Sequence, residues 1–269
     1  MSIPESHEVF AVRYATMPER RRHHNFIGLD PHDDAPMPID YYVWLIRNEN
    51  RTIVVDTGFE PGEATKRGRD LLRLPRDGLA MLGVDPETVE DVIVTHLHWD
   101  HAGTLDDFPR ARFHLQDREM IAATGRCMCH PPLRASYSVD YVCNMVRRVF
   151  DGRVTFHDGD DELAPGITLH HVGGHAAGMQ FVRVMTERGW VVLASDASHF
   201  YENMERCMPF PIVHDMAAML EGYGRLRRHA SSPRHVVPGH DPLVMRRYPA
   251  PERGLAGAVA RLDVPPIED

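Results

Sequence analysis

The chain has 269 residues, 43% hydrophobic and 26% charged, enough for one large domain with its own core. Its 39 acidic side chains outnumber 30 basic ones, for a net charge of −9 with histidines neutral. That balance argues against a nucleic-acid partner, because binding a phosphate backbone leans on Lys and Arg. No apolar run approaches the roughly 18–20 residues of a membrane span, and residues 1–8 lack the basic and then apolar pattern of a secretory leader. The expectation is a single domain over residues 1–269, cytoplasmic, with neither nucleic acid nor membrane as partner.

Residues 9–14 read as a strand. The polar stretch 17–37 reads as a solvated loop, or as a loop folded over a site mouth with Phe26 and Ile27 as its apolar contacts. Residues 41–46 and 52–58 form two strands joined at Asn48 to Arg51. Residues 62–74 and 77–82 read as helical, and 85–90 as a short connecting helix. The apolar β-branched run Val92-Ile93-Val94 is a short buried strand. Beyond it come a strand at 111–115, a helix starting at 116–120 and a helix at 139–150. Segment 119–150 departs from a minimal fold and is expected to line a pocket. It holds Cys127, Cys129 and Cys143, which with His130 could form a second metal set. No CxxC pair is present, and reduced thiols are the plainer reading. Strands follow at 153–157, 167–172, 180–184 and 190–194. Residues 216–229 form a helix whose Met216, Met219, Leu220, Tyr223 and Leu226 fall at core-facing helical spacing. A last strand leads through 235–237 to His240.

The chemistry is concentrated after the strand at 92–94. Thr95-His96-Leu97-His98-Trp99-Asp100-His101 places three histidines and a carboxylate within six residues. On a helix, His96 and His98 would point about 200° apart. On an extended chain they point the same way, so both imidazoles can converge on one cation. Asp100 and His101 then leave the strand and can face a second. Imidazole and carboxylate suit Zn²⁺, Fe²⁺, Mn²⁺ or Co²⁺.

This stretch, continued by Ala102-Gly103, resembles the signature of the metallo-β-lactamase-fold superfamily. Three further motifs follow in that superfamily's order: Gly173-Gly174-His175, Ala194-Ser195-Asp196 and Pro238-Gly239-His240. The resemblance implies an α/β fold of αββα sandwich type. It also implies two divalent metals, Zn²⁺ first, with Mn, Fe or Co as alternatives. His96, His98 and His175 would hold one metal, Asp100, His101 and His240 the other, and Asp196 would bridge them. Asp56, in the strand-end turn Asp56-Thr57-Gly58, would orient ligands by hydrogen bonding from beneath.

The finer resemblance is to the N-acyl-homoserine lactonase group, whose Asp-Ala-Ser-Tyr frame reads here Asp196-Ala197-Ser198-His199, followed by Tyr201-Glu202-Asn203. It implies lactone opening by a metal-bridging hydroxide, Asp100 moving the proton, and a small-molecule lactone or ester as substrate. His199 stands where that group has its tyrosine and can contact substrate by hydrogen bonding, with Tyr201 as a second contact. Dimerisation would also follow from the family. The alternatives are hydrolysis of another ester or a cyclic amide, a glyoxalase-II-like thioesterase, a β-lactamase, and, from another reaction class, a mononuclear iron persulfide dioxygenase. The run after His240 is too short for the extra helical domain of the thioesterase.

Overall fold

The computed structural model describes residues 4–28 and 30–267. Met1, Ser2 and Ile3, on which part of the leader reading rests, lie outside the described residues, as do Leu29, Glu268 and Asp269. Strands β1 (Glu8–Met17), β2 (Ile39–Arg47) and β3 (Thr52–Val55) open the chain, followed by helix α1 (Pro61–Arg67), β4 (Asp70–Leu71) and α2 (Pro75–Ala80). Next come β5 (Asp91–Ile93), β6 (Arg112–Gln116), α3 (Asp117–Thr124), α4 (Pro131–Arg134), α5 (Val139–Phe150) and β7 (Val154–His157). The second half holds β8 (Asp161–Ala164), β9 (Ile167–His171), β10 (Gln180–Thr186) and β11 (Gly189–Ser195). It closes with α6 (Tyr201–Glu205), α7 (Met216–His229), β12 (Val236–Pro238), α8 (Leu243–Arg247) and β13 (Val259–Arg261).

Two sheets result. One runs β13-β1-β2-β3-β5-β6-β7, with β4 also paired to β1; the other runs β12-β11-β10-β9-β8. Alternation along the strands explains why the sheets stack. Val9 and Ala11, with Tyr42, Trp44 and Ile46, face the second sheet and pack with Phe181, Val182 and Leu193. Their neighbours Phe10, Val12, Val43 and Leu45 join a separate core with Leu79, Phe113 and Met145 on the outer, helix-covered face. The period of two thus divides one strand between two cores. Helix α7 covers the second sheet with Met219, Tyr223 and Leu226. The architecture is the αββα sandwich.

The structure departs from the sequence reading in four places. The single helix expected at 62–74 ends at Gly68, whose φ of 63° places it in the left-handed region, where glycine terminates helices without steric cost; Asp70 and Leu71 then pair with Ala15 and Thr16 of β1. Strands β8 and β13 carry no strong alternation and were not expected. The loop 17–37 is folded rather than solvated, with a 3₁₀ turn at Arg22–His24; Phe26 is buried while Ile27 is exposed. Met216 and Leu220, expected in the core stripe, are exposed. Among the described residues no helix is long and apolar enough to cross a membrane.

Candidate metal centre

Parallel pairing positions the site. β3 and β5 run side by side, with Val55 opposite Ile93, so the residues just beyond their ends, Asp56 and Thr95-His96, emerge together. In the other sheet β11 and β12 are also parallel, with Ser195 opposite Pro238, which delivers Asp196 and His240 side by side. The two edges meet across the sandwich: Thr95 Oγ1 lies 2.9 Å from Ser195 Oγ, and Gln180 N donates to the Thr95 carbonyl at 3.1 Å. Gly239 has no room for a side chain, since a Cβ there would sit 2.6 Å from the Ser195 carbonyl oxygen and 2.7 Å from Asp196 Oδ1. Gly174, at φ 83°, lets the turn before His175 pass against Met219 of α7.

The structure brings the seven expected ligands into two groups. His96, His98 and His175 form one, and Asp100, His101, Asp196 and His240 the other, each with its ligand atoms within 4.8 Å of one another. All seven are buried. Asp196 divides its carboxylate between them. Oδ2 lies 3.3 Å from His175 Nε2 and 3.9 Å from His96 Nε2, while Oδ1 lies 3.0 Å from His240 Nε2 and 3.3 Å from His101 Nε2. The far nitrogens are fixed from behind. His101 Nδ1 meets Asp56 Oδ2 at 2.7 Å, His240 Nδ1 meets the Asp40 carbonyl at 2.7 Å, and His175 Nδ1 meets the Ile212 carbonyl at 2.9 Å. Asp56 also accepts from Thr95 N and Thr95 Oγ1. Such partners select the tautomer that turns Nε2 toward a cation.

The donor set fits metal ions on two further counts. His96 Nε2, His101 Nε2 and Asp196 Oδ1 are buried without a hydrogen-bond partner, an arrangement that is costly in an apolar interior unless something else completes it. The electrostatics agree. Burial holds His96, His98 and His175 below the ordinary histidine range, and the neighbouring imidazoles add to it; neutral imidazole is the ligating form. Burial also opposes charge on His101 and His240, but Asp196 and Asp100 outweigh it and raise both. The carboxylate group therefore favours positive charge.

In front of these residues lies a cleft of about 340 Å³. Asp100, His98, His175, Asp196, His199 and His240 form its floor. Arg20 reaches it from the 17–37 loop, Cys127, Met128, Leu133 and Tyr137 from 119–150, and Ile212 and His214 from the stretch after α6. Tyr201, expected beside the substrate, is not among the lining residues. It opens α6, where Asp241 Oδ2 accepts its N–H, and its ring is buried under Arg247. The turn into the helix aims it away from His199. His199 itself stacks on Phe210 at 3.5 Å, and its Nε2 donates to Asp196 Oδ2 at 2.9 Å, leaving Nδ1 buried without a partner. Burial disfavours charge on this ring, so with Nε2–H given to Asp196, Nδ1 is left as an acceptor. His199 also stands with His175 and Asp196 as a third set within ligating reach. The cysteines are free and form no metal group among the described residues.

Sequence reasoning missed Glu119. It is fully buried; Oε1 accepts from Leu97 N at 2.9 Å and from the Tyr137 hydroxyl at 3.0 Å, and Oε2 accepts from Gly178 N at 2.8 Å. One carboxylate thus pins the loop that carries His96 and His98 to the loop that carries His175. A lone Glu in the first turn of a helix gives no pattern by which to find it.

Comparison with known proteins agrees with this geometry. An N-acyl homoserine lactonase of a Bacillus species is 28% identical over 221 residues, spanning 76% of this chain and 82% of that protein. Among solved structures, a quorum-quenching N-acyl homoserine lactone hydrolase is 25% identical and covers 90% of this chain and 94% of its own, with a TM-score of 0.71. AidC, a dizinc quorum-quenching lactonase, shares the fold at 14% identity, covering 90% of each chain, with a TM-score of 0.68. The model of the metallo-β-lactamase superfamily matches residues 38–240, the span that holds every ligand described above, and the chain belongs to that superfamily.

Proposed function

We propose that this chain hydrolyses lactones, with an N-acyl homoserine lactone or another small lactone as substrate. The observation that carries the reading is the division of Asp196 between two buried ligand groups, Oδ2 toward His175 and His96 and Oδ1 toward His240 and His101, in an open cleft, in a chain whose relatives are named lactonases. His96, His98 and His175 would hold one cation, Asp100, His101 and His240 a second, and Asp196 both, with Zn²⁺ ahead of Mn²⁺, Fe²⁺ or Co²⁺. When bound, such a pair supplies an acidified water at neutral pH and Lewis-acid polarisation of a carbonyl.

The chain's own groups divide the remaining work. Asp100 lines the cleft, with its carboxylate oxygens 3.7 Å from His101 Nε2 and 3.6 Å from His240 Nε2. The Tyr14 hydroxyl donates to its backbone carbonyl at 2.8 Å and holds it in place. Asp100 takes the proton of the attacking water and returns it to the leaving alkoxide oxygen. His199, braced by Phe210, accepts a hydrogen bond from a substrate N–H or O–H at Nδ1. Ser195 is not a nucleophile, because its hydroxyl is buried between Thr95 and Asp56. The second, carboxylate-bearing group favours a hydrolase over a mononuclear iron dioxygenase, which would leave Asp100, His101 and His240 without a cation.

The test is acid release, followed with a pH indicator, from a panel of neutral and charged lactones, a thioester and a β-lactam. Ring opening of at least one lactone is expected. Silence on every lactone, from protein shown to carry two metals per chain, would overturn the reading.

A further inference from the structure

Three arginines wall the cleft, Arg20, Arg67 and Arg69, in a chain whose net charge is −9. Arg67 has a counter-ion, since its Nε lies 2.5 Å from Glu63 Oε1. Among the described residues Arg20 and Arg69 have none. Arg20 donates to the Asn25 side-chain oxygen and, at 2.8 Å, to the His24 carbonyl. Arg69 donates to the Tyr41 hydroxyl at 2.7 Å and to the Arg67 and Gly68 carbonyls at 2.5 and 3.4 Å. All of these acceptors are neutral, and both residues are half-buried. Taking a charge out of water without an opposite charge is unfavourable. Arg22, two residues after Arg20, does have counter-ions: it meets Asp30 of the same loop and Glu202 of α6 at 2.7 Å each. The missing partner at Arg20 and Arg69 is therefore local to the cleft.

The two side chains are also aimed. Tyr41, which fixes Arg69, stands edge-on to the ring of the ligand His240 with centroids 5.1 Å apart. The Arg69 and Arg67 guanidiniums lie 5.5 and 4.6 Å from the centre of the Trp99 ring, which sits beside Asp100. Stacking on an aromatic face holds a guanidinium fork in one plane, ready for bidentate contact with an oxyanion.

We propose that Arg20 and Arg69 form an anion subsite, and that the lactone opened here carries a carboxylate on the part of the molecule remote from the scissile ester. This rests on the lactonase reading above. Ring opening then consumes one water, breaks the ester C–O bond and releases a hydroxy-dicarboxylate and a proton. A neutral acyl-homoserine lactone, with nothing to offer these arginines, is the poorer substrate.

The test uses matched pairs: one γ-lactone skeleton whose side chain ends, away from the ring, in either a carboxylate or the corresponding carboxamide, assayed with the metal-loaded enzyme. The expected kcat/KM for the carboxylate is about tenfold to a hundredfold higher, the range for a charge-assisted hydrogen bond, and the advantage falls as salt is added. Arg69→Gln and Arg20→Gln should shrink the carboxylate-to-carboxamide ratio toward one, while Arg69→Lys, which keeps the charge, should retain most of it. Elemental analysis should find the same two metals per chain in each variant. A carboxamide opened as fast as the carboxylate would overturn the anion subsite and leave the lactonase reading standing. If neither is opened, the lactone panel decides the lactonase reading, and calorimetric titration with glutarate decides the subsite. Glutarate binding weakened by both Gln variants supports it; binding unchanged in both refutes it.

Discussion

Glu119 sits beneath both ligand-bearing loops. Its two oxygens satisfy two backbone N–H groups and one phenol, all in the interior. Burial raises its pKa and those three donors oppose the rise. Glu119→Ala would leave the donors unsatisfied, at a cost of about 3 kcal/mol. It would also free His98 and His175 to move, with a loss of roughly tenfold to a hundredfold in metal affinity. Thermal unfolding and chelator competition measure the two effects separately. Glu119→Gln should fall between, since its amide keeps one acceptor and sets a donor against a donor. Unchanged metal affinity in Glu119→Ala would remove this positioning role. The contrast with the ligands shows what is legible at this scale. His96, His98, Asp100 and His101 are close in sequence, and their spacing carries meaning. His175, Asp196 and His240 are scattered along the chain, and only the resemblance to the superfamily's motif order points to them. Glu119 acts through Leu97, Tyr137 and Gly178, each far away in sequence, and nothing local marks it.

At the scale of elements, periodicity was informative where an element buries one clear face. The helices at Val139–Phe150 and Met216–His229 have the bounds their sequence pattern predicts. It failed where tertiary pairing overrides local preference. β13 forms only because β1 offers its edge to Val259, Ala260 and Arg261, and β4 only because Gly68 reverses the chain. The 17–37 loop is ordered by charge rather than by an apolar face. Arg22 bonds Asp30 and Glu202, and Arg206 bonds the same two carboxylates at 2.8 Å. Arg206 and Arg22 hold Asp30 well below the usual carboxylate range, and Arg22 holds Glu202 below it. A carboxylate with a depressed folded pKa stabilises fully above its unfolded value, about 4, and loses that contribution as pH falls through the folded value. The loop should therefore resist protease at neutral pH and open only in acid below about pH 4. Arg22→Ala should make it protease-sensitive at neutral pH and cost about 1–2 kcal/mol. Equal cleavage of wild type and Arg22→Ala would show that something else holds the loop.

At the scale of the molecule, the site exists because two sheets put the ends of parallel strand pairs face to face. Asp56 and His96 come from one sheet, Asp196 and His240 from the other, and Thr95 and Ser195 join them at 2.9 Å. Sequence order alone indicated this fold, because four motifs in one order are hard to meet by chance. Segments 17–37 and 119–150 are expected at the cleft and both reach it, but which of their side chains wall it is not legible, since Arg20, Leu133 and Tyr137 belong to no spaced motif. Cations bound between the sheets would add stability by mass action as well as chemistry. The central claim is that catalysis needs both ligand groups filled. Chelated protein titrated with Zn²⁺, with bound metal and lactone opening read in the same samples, tests it most directly. The expected result is no activity without metal and a rise that saturates at two ions per chain, with Asp196→Ala failing to reach either plateau. Full activity at one ion per chain, or activity that survives complete chelation, would contradict it.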